Sequence, residues 1–370
     1  MNAVLPPLKP RILVAPLDWG LGHATRCIPL IRQLLQAGVD VVLAGEGKTA
    51  ALLSSEFPQL LLLPLKGYRV KYGKTGLELM GKLLLQVPKV LDTMDEEQEW
   101  LKTALEAHQF DAVISDNRYG LYSDKVPSVL MTHQLLVKTG FSTWADRQLQ
   151  KLHYGYFRAF TECWIPDAVG ETSLAGELAH PAVLPPIPVQ YIGPLSRFAY
   201  TKVGREKHLL VLLSGPEPQR TLLEESLLAQ LNAYDGPTVL VRGLPGSEEQ
   251  LSLSSNITVL NHLPAGQLEA CISEASFVIA RTGYSTVMDL MTLQKKSILI
   301  PTPGQTEQEY LAKHLMEQNF ALCIQQPRFR LLPALALAAS FPYQFPEKSQ
   351  SNSLSTAVQN LLQSLPSKTV

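Results

Sequence analysis

ILVAPLDWGLGHATRCIPLIRQLLQAG, residues 12–38, is the stretch that decides the fold. Ile12 to Ala15 form an uninterrupted apolar run, the pattern of a strand covered on both faces. A glycine-bearing turn follows. From Cys27 the apolar positions recur at helical spacing and stop at Gly38. Strand, glycine turn and helix open a parallel α/β unit, and the same order returns along the chain. Val39–Ala44 (VDVVLA), Leu60–Pro64, Asp111–Ser115 (DAVIS) and Val129–Thr132 (VLMT) all read as buried strands. Strands rich in Val, Ile and Leu that alternate with helical patterns predict parallel pairing, with helices on both faces.

The pattern restarts in the second half with Leu209–Leu213 (LLVLL), Thr238–Arg242 (TVLVR), Ile257–Leu260, Phe277–Ala280 and Ser297–Pro301 (SILIP). Between the halves, PAVLPPIPVQYIGPLSRF carries five prolines from Pro181 to Pro194 and reads as a semi-rigid linker. The expected division is a Rossmann-like domain over 1–196, a linker over 197–206 and a second Rossmann-like domain over 207–340. A tail over 341–370 is expected to send a helix back onto the first domain. Two open parallel sheets facing one another would leave a cleft between their strand C-terminal edges, where such sheets bind ligands.

A length of 370 residues suits two domains. With 46% hydrophobic and 18% charged residues, the chain reads as an ordinary soluble globular protein. A net charge of -1 gives no electrostatic case for a nucleic-acid partner. The four cysteines, Cys27, Cys163, Cys271 and Cys323, are too scattered for CxxC pairs and are expected to be reduced thiols. Prolines and a lysine precede the first apolar run, so no signal-peptide core is read there, and the expected location is the cytoplasm.

The candidate chemistry sits in the loops after the strands. Asp18-Trp19-Gly20-Leu21-Gly22-His23 follows the first strand and places Gly20 and Gly22 where a backbone can approach a ligand, with His23 aimed at the cleft; a helix-capping or core histidine is the alternative. The loop lacks the third glycine of a dinucleotide fingerprint. Asp116 ends the fourth strand and could fix the tautomer of His23; capping of the next turn is the alternative. In the second half, Ser214 and Gly215 follow the first strand. Arg281, Gly283, Ser285, Thr286 and Asp289 run from a strand into a helix, with Gly283 expected to take an unusual dihedral. Gln305, Glu307 and Gln308 follow a Pro-Gly turn and suit recognition of sugar hydroxyls; a polar helix N-terminus is the alternative.

The segments ARTGYSTVMDL (280–290) and PGQTEQEYLAKHL (303–315) carry a resemblance. The chain resembles the inverting GT-B glycosyltransferases of family 28, typified by a peptidoglycan N-acetylglucosaminyltransferase with a lipid-linked acceptor, and their uncharacterised relatives. That resemblance implies a metal-independent transfer from a nucleotide-diphosphate sugar, in the first place a UDP-sugar, to an acceptor hydroxyl, with no cofactor. By the match, Asp289 stands at the ribose-binding carboxylate and Gln308 at a donor-sugar glutamine, while His23 with Asp116 is similar to the catalytic pair of plant-type glucosyltransferases. The Gly20–Gly22 loop is similar to a turn near acceptor and diphosphate. Two departures stand out: Glu309 replaces a second glutamine, and SGPEPQRT replaces a Gly-Gly-Ser-x-Gly loop. A sugar-nucleotide 2-epimerase of the same fold and a non-catalytic sugar-nucleotide-binding subunit are the rival readings.

Gly45-Glu46-Gly47-Lys48-Thr49 lacks the glycine that a phosphate loop needs, where Val42 stands. Neither HExxH nor DxD occurs, so no metal site is expected. Residues 71–94 combine Met80, Leu83, Leu84, Val87, Leu91 and Met94 on one helical face with Lys71, Lys74, Lys82 and Lys89. Two readings follow: a basic amphipathic element that docks at the inner face of a membrane and leads to a lipid-linked acceptor, or a core-facing helix with solvated lysines.

Overall fold

The computed structural model describes residues 9–69, 87–200, 206–249, 251–346 and 353–366. The first sheet has seven parallel strands, β1 (Arg11–Pro16), β2 (Asp40–Gly45), β3 (Leu62–Pro64), β4 (Ala112–Asp116), β5 (Ser128–Met131), β6 (Glu162–Ile165) and β7 (Val189–Tyr191). Their order is β3-β2-β1-β4-β5-β6-β7. Six parallel strands make the second sheet: β8 (His208–Leu212), β9 (Thr238–Val241), β10 (Ile257–Leu260), β11 (Ala275–Arg281), β12 (Ser297–Ile300) and β13 (Leu322–Cys323). They are ordered β10-β9-β8-β11-β12-β13. The inner strands are buried on both faces, which is why they read as continuous apolar runs rather than alternating ones.

Among the described residues, the helices of the first part are α1 (Leu21–Gln36), α2 (Gly47–Glu56), α3 (Val87–His108) and α4 (Thr143–Phe157). Those of the second are α5 (Gln219–Leu231), α6 (Ala265–Ser273), α7 (Tyr284–Thr292), α8 (Thr306–Glu317) and α9 (Leu331–Ser340). A last helix, α10 (Ser353–Ser364), returns to pack against α1, and its Ala357, Val358 and Leu361 join the core that contains Ile28 and Ile31.

One correction concerns the strands. The proline-rich stretch is not all linker: Val189–Tyr191 forms β7, paired with β6 at the edge of the first sheet. The prolines flank that strand, and the Pro188 carbonyl accepts from Cys163 N at 2.8 Å, so no ladder donor is lost. The helix after β1 starts at Leu21, six residues before the apolar repeat at Cys27 becomes visible. Gly20 has φ 89° and turns the chain off the strand, which brings Gly22 and His23 into the first helical turn.

Each sheet has one switch point, where consecutive connections depart in opposite directions. It lies between β1 and β4 in the first sheet and between β8 and β11 in the second. The ends of these strands and the loops after them carry most of the residues singled out above, while Gln305, Glu307 and Gln308 follow the neighbouring β12, as expected where ligands sit in open parallel sheets.

Candidate active site

His23 comes from the first turn of α1 and Asp116 from the last position of β4, on either side of the first switch point. Their side chains meet, with His23 Nδ1 3.0 Å from Asp116 Oδ2. Asp116 is fully buried, whereas the His23 side chain keeps 15% exposure. Burial of Asp116 works against its charge, yet the Arg26 guanidinium and His23 beside it hold its carboxyl down at about 2. Burial and the positive charge of Arg26 push the His23 imidazole below its ordinary value, outweighing Asp116. At neutral pH His23 is therefore a neutral imidazole, the form able to accept a proton.

Arg26 and His133 were not among the residues read from the sequence. Arg26 lies one turn beyond His23 on the same face of α1, a spacing that could have drawn attention to it. Its Nε donates to Asp116 at 2.9 and 3.1 Å, and its Nη2 donates to Asp116 Oδ1. Nη2 also lies 2.8 Å from His23 Nδ1, and Nη1 lies 3.2 Å from His133 Nδ1. His133 follows β5 and turns its other nitrogen to Glu307 Oε1, 2.8 Å away at the start of α8. A chain of contacts thus runs from Asp116 through Arg26 and His133 to the second sheet's loop.

Direct contacts join the two switch points. Ser285 Oγ donates to the Gly22 carbonyl at 2.8 Å, and a Cβ on Gly22 would lie 2.9 Å from Ser285 Oγ, so a larger residue would have to displace this contact. The Tyr284 ring stacks on His133 with centroids 4.1 Å apart, and its hydroxyl donates to Pro166 O at 2.8 Å. Tyr310 Oη accepts from Glu177 N at 2.7 Å, and His314 Nε2 is 3.0 Å from Ser173 O.

The remaining residues read from the sequence are placed as follows. Gly20 forms the left-handed cap described above. Ser214 and Gly215 lie in the loop after β8, where Gly215 is exposed at φ 104°. Gly283 does not take an unusual dihedral: its φ of -75° and ψ of 134° are open to any residue, because the chain enters α7 in ordinary extended geometry. Thr286 is half-buried in the first turn of α7. Arg281 is held beneath the loops, with Nη2 donating to Gln219 O and Nη1 to Gln326 Oε1, each at 2.8 Å. Burial pulls it down to about 10.

Asp289 accepts from Ser196 Oγ at 2.7 Å, and burial raises its carboxyl to about 6 despite the Arg197 charge nearby. Gln308 braces its own loop, accepting from Thr302 N at 2.9 Å and donating to Gln305 Oε1 at 2.7 Å. Glu309 likewise accepts from Gly304 N at 2.8 Å. Burial opposes the charge of Glu307, but the hydrogen bond from His133 holds its carboxyl below the usual range.

In the basic amphipathic segment, residues 70–86 and the Val87 side chain lie outside what is described. Within the described part, Leu91 is exposed, Met94 is buried, and Lys89 donates to Arg69 O at 3.0 Å.

Comparison with known proteins agrees with this architecture. Residues 247–364 match the family model described as the glycosyltransferase family 28 C-terminal domain. The chain is 22% identical over 332 residues, 84% of either chain, to an uncharacterized glycosyltransferase of Methanosarcina acetivorans. Among solved structures, it is similar to the glycotransferase of kitacinnamycin, with a TM-score of 0.65 and 17% identity over 96% of both chains. Acinetobacter baumannii MurG gives a TM-score of 0.59 and 15% identity, covering 96% of this chain and 100% of that one. Spinosyn rhamnosyltransferase SpnG gives 0.61 and 16%, covering 96% and 97%. The chain shares the GT-B fold of these solved glycosyltransferases, and its residues 247–364 match the family 28 C-terminal domain.

Proposed function

We propose that the protein transfers a sugar from a nucleotide-diphosphate sugar to an acceptor hydroxyl by direct, inverting displacement without a metal ion. His23 Nε2 takes the proton of the acceptor hydroxyl as its oxygen attacks the anomeric carbon. Asp116 orients the imidazole through Nδ1, and the nucleotide diphosphate departs from the opposite face. Backbone N–H groups at the N-termini of α5 and α7 are suited to the diphosphate charge. Ser214, Gly215, Ser285, Thr286, Asp289 and the 305–308 loop form the donor side of this reading.

The observation that carries it is the 3.0 Å contact between the His23 imidazole and a buried carboxylate at one switch point, set against the second sheet's loops. The experiment is nucleotide diphosphate release from a panel of UDP- and TDP-sugars, with and without alcohols as acceptors. His23→Ala should lower turnover by about 10²–10⁴-fold with donor affinity nearly unchanged. Near-normal turnover in that variant would remove the base assignment.

On the acceptor side, a lipid-bearing substrate is supported by α4 and the residues that flank it. Phe141, Trp144 and Leu152 are 73%, 70% and 71% exposed, and Arg147, Lys151 and Arg158 are exposed beside them. Apolar side chains flanked by cations suit the boundary of an anionic membrane, which makes the cytoplasmic membrane face the proposed place of action. Among the described residues, no helix is long and apolar enough to cross a membrane.

A further inference from the structure

His23 Nδ1 lies within hydrogen-bond distance of two groups that make opposite demands on it. Asp116 Oδ2, at 3.0 Å, is an acceptor and needs a proton on Nδ1. Arg26 Nη2, at 2.8 Å, is only a donor and needs the Nδ1 lone pair. One nitrogen cannot serve both. A proton on Nδ1 leaves the Nε2 lone pair free to act as a base. A lone pair on Nδ1 puts the proton on Nε2, and the neutral ring then cannot take a proton from an acceptor at that atom.

What surrounds Arg26 favours the second arrangement. Its Nε and one Nη2 hydrogen serve Asp116. Its Nη1 points at His133 Nδ1, which must be an acceptor because a guanidinium can only donate. His133 therefore carries its proton on Nε2 and donates to Glu307 at 2.8 Å. With both ends held, the guanidinium directs the remaining Nη2 hydrogen at His23 Nδ1. His133 is itself restrained by the stack on Tyr284.

We propose that Glu307, His133 and Arg26 form a relay by which the donor loop selects the tautomer of His23. While Glu307 holds His133, Arg26 claims Nδ1 and His23 is the Nε2–H form. A nucleotide sugar whose hydroxyls draw the Glu307 carboxylate away frees His133 and loosens Arg26. His23 then binds a proton from water at Nδ1, keeps it there in a hydrogen bond to Asp116, and returns the Nε2 proton to water, with no change in net charge. The base is armed once the donor is in place, which imposes donor-first order. Arg26 and His133 are positioning residues in this scheme; neither exchanges a proton with the acceptor.

The inference rests on His23 acting as the base, but its test needs no turnover. Histidine side-chain nitrogen spectra of the 15N-labelled full chain, at about pH 8 where the ring is neutral, show which nitrogen of His23 bears the proton. His23→Gln assigns the signal. The wild type without nucleotide should be mainly Nε2–H. His133→Phe keeps the ring against Tyr284 but removes the Arg26 acceptor, and Glu307→Ala removes the carboxylate. Each should change the major species to Nδ1–H. Both variants leave the buried Arg26–Asp116 pair intact, so folding is not the obstacle it would be for Arg26 itself. A wild type that is already Nδ1–H, or either variant with an unchanged tautomer, overturns the relay. Failure of His23→Ala to slow turnover would instead overturn the base assignment, whatever the spectra show.

Discussion

Replacing Asp116 with Asn is the most informative single perturbation, because the structure gives this carboxylate two partners. It lies 3.0 Å from His23 Nδ1, and it is the partner of an Arg26 guanidinium that is itself only 2% exposed. Asparagine keeps the shape but removes the charge, which leaves a buried cation without its counter-ion. Breaking a buried pair from one side costs about 3–5 kcal/mol. An unfolding entropy of about 2.1 cal/mol/K per residue gives about 0.8 kcal/mol/K for a chain of this length, so the midpoint should fall by about 4–6 °C. Scanning calorimetry reads this directly. The double variant Arg26→Met with Asp116→Asn strands no charge, and its loss should be smaller than the two single losses added, by about 2 kcal/mol or more. A midpoint within about 1 °C of wild type for Asp116→Asn, or strictly additive single losses, would refute the idea that this pair supports the fold. The pH dependence has a definite sign: a carboxylate held at about 2 stabilises the protein above the unfolded carboxylate value, and that contribution is lost as pH falls through about 2.

Other outcomes follow from single features. Asp289, raised to about 6, favours the folded state while protonated. Its contribution is present below the unfolded value near 4 and is lost as pH rises through 6, so melting temperatures should fall over that window and do so less in Asp289→Asn. Gly243 has φ 71°, and a Cβ there would lie 2.3 Å from the Leu213 carbonyl. Gly243→Ala should therefore cost at least about 1–3 kcal/mol in a thermal melt, and an unchanged midpoint would contradict the backbone path. Transfer activity should survive EDTA; complete loss that manganese or magnesium restores would sink the metal-free mechanism.

Much of this protein was legible in its chain of residues because buried parallel strands must be apolar on both faces. That requirement writes β1, β2, β4, β5, β8, β9, β11 and β12 as contiguous runs of Val, Ile and Leu, and the glycine turns behind them mark the ligand side of each sheet. The pairing of His23 with Asp116 was also within reach, since His23 follows β1, Asp116 ends β4, and β1 neighbours β4. Three short strands were not: β6 (ECWI), β7 (VQY) and β13 (LC) lack the contiguous Val, Ile and Leu that marked the others.

Tertiary structure alone decided what each polar side chain holds. Arg26 looked like any arginine on an amphipathic helix until the fold buried it against Asp116. His133 and Glu307 are 174 residues apart, and no local spacing connects them. Gln308 and Arg281, read as ligand contacts, also hold nearby amide and carbonyl groups, because a buried polar group must find a partner wherever the fold offers one. Periodicity records which side of an element is dry. Which donor meets which acceptor is set by distances between loops far apart in the chain, and those arise only when the two sheets face each other.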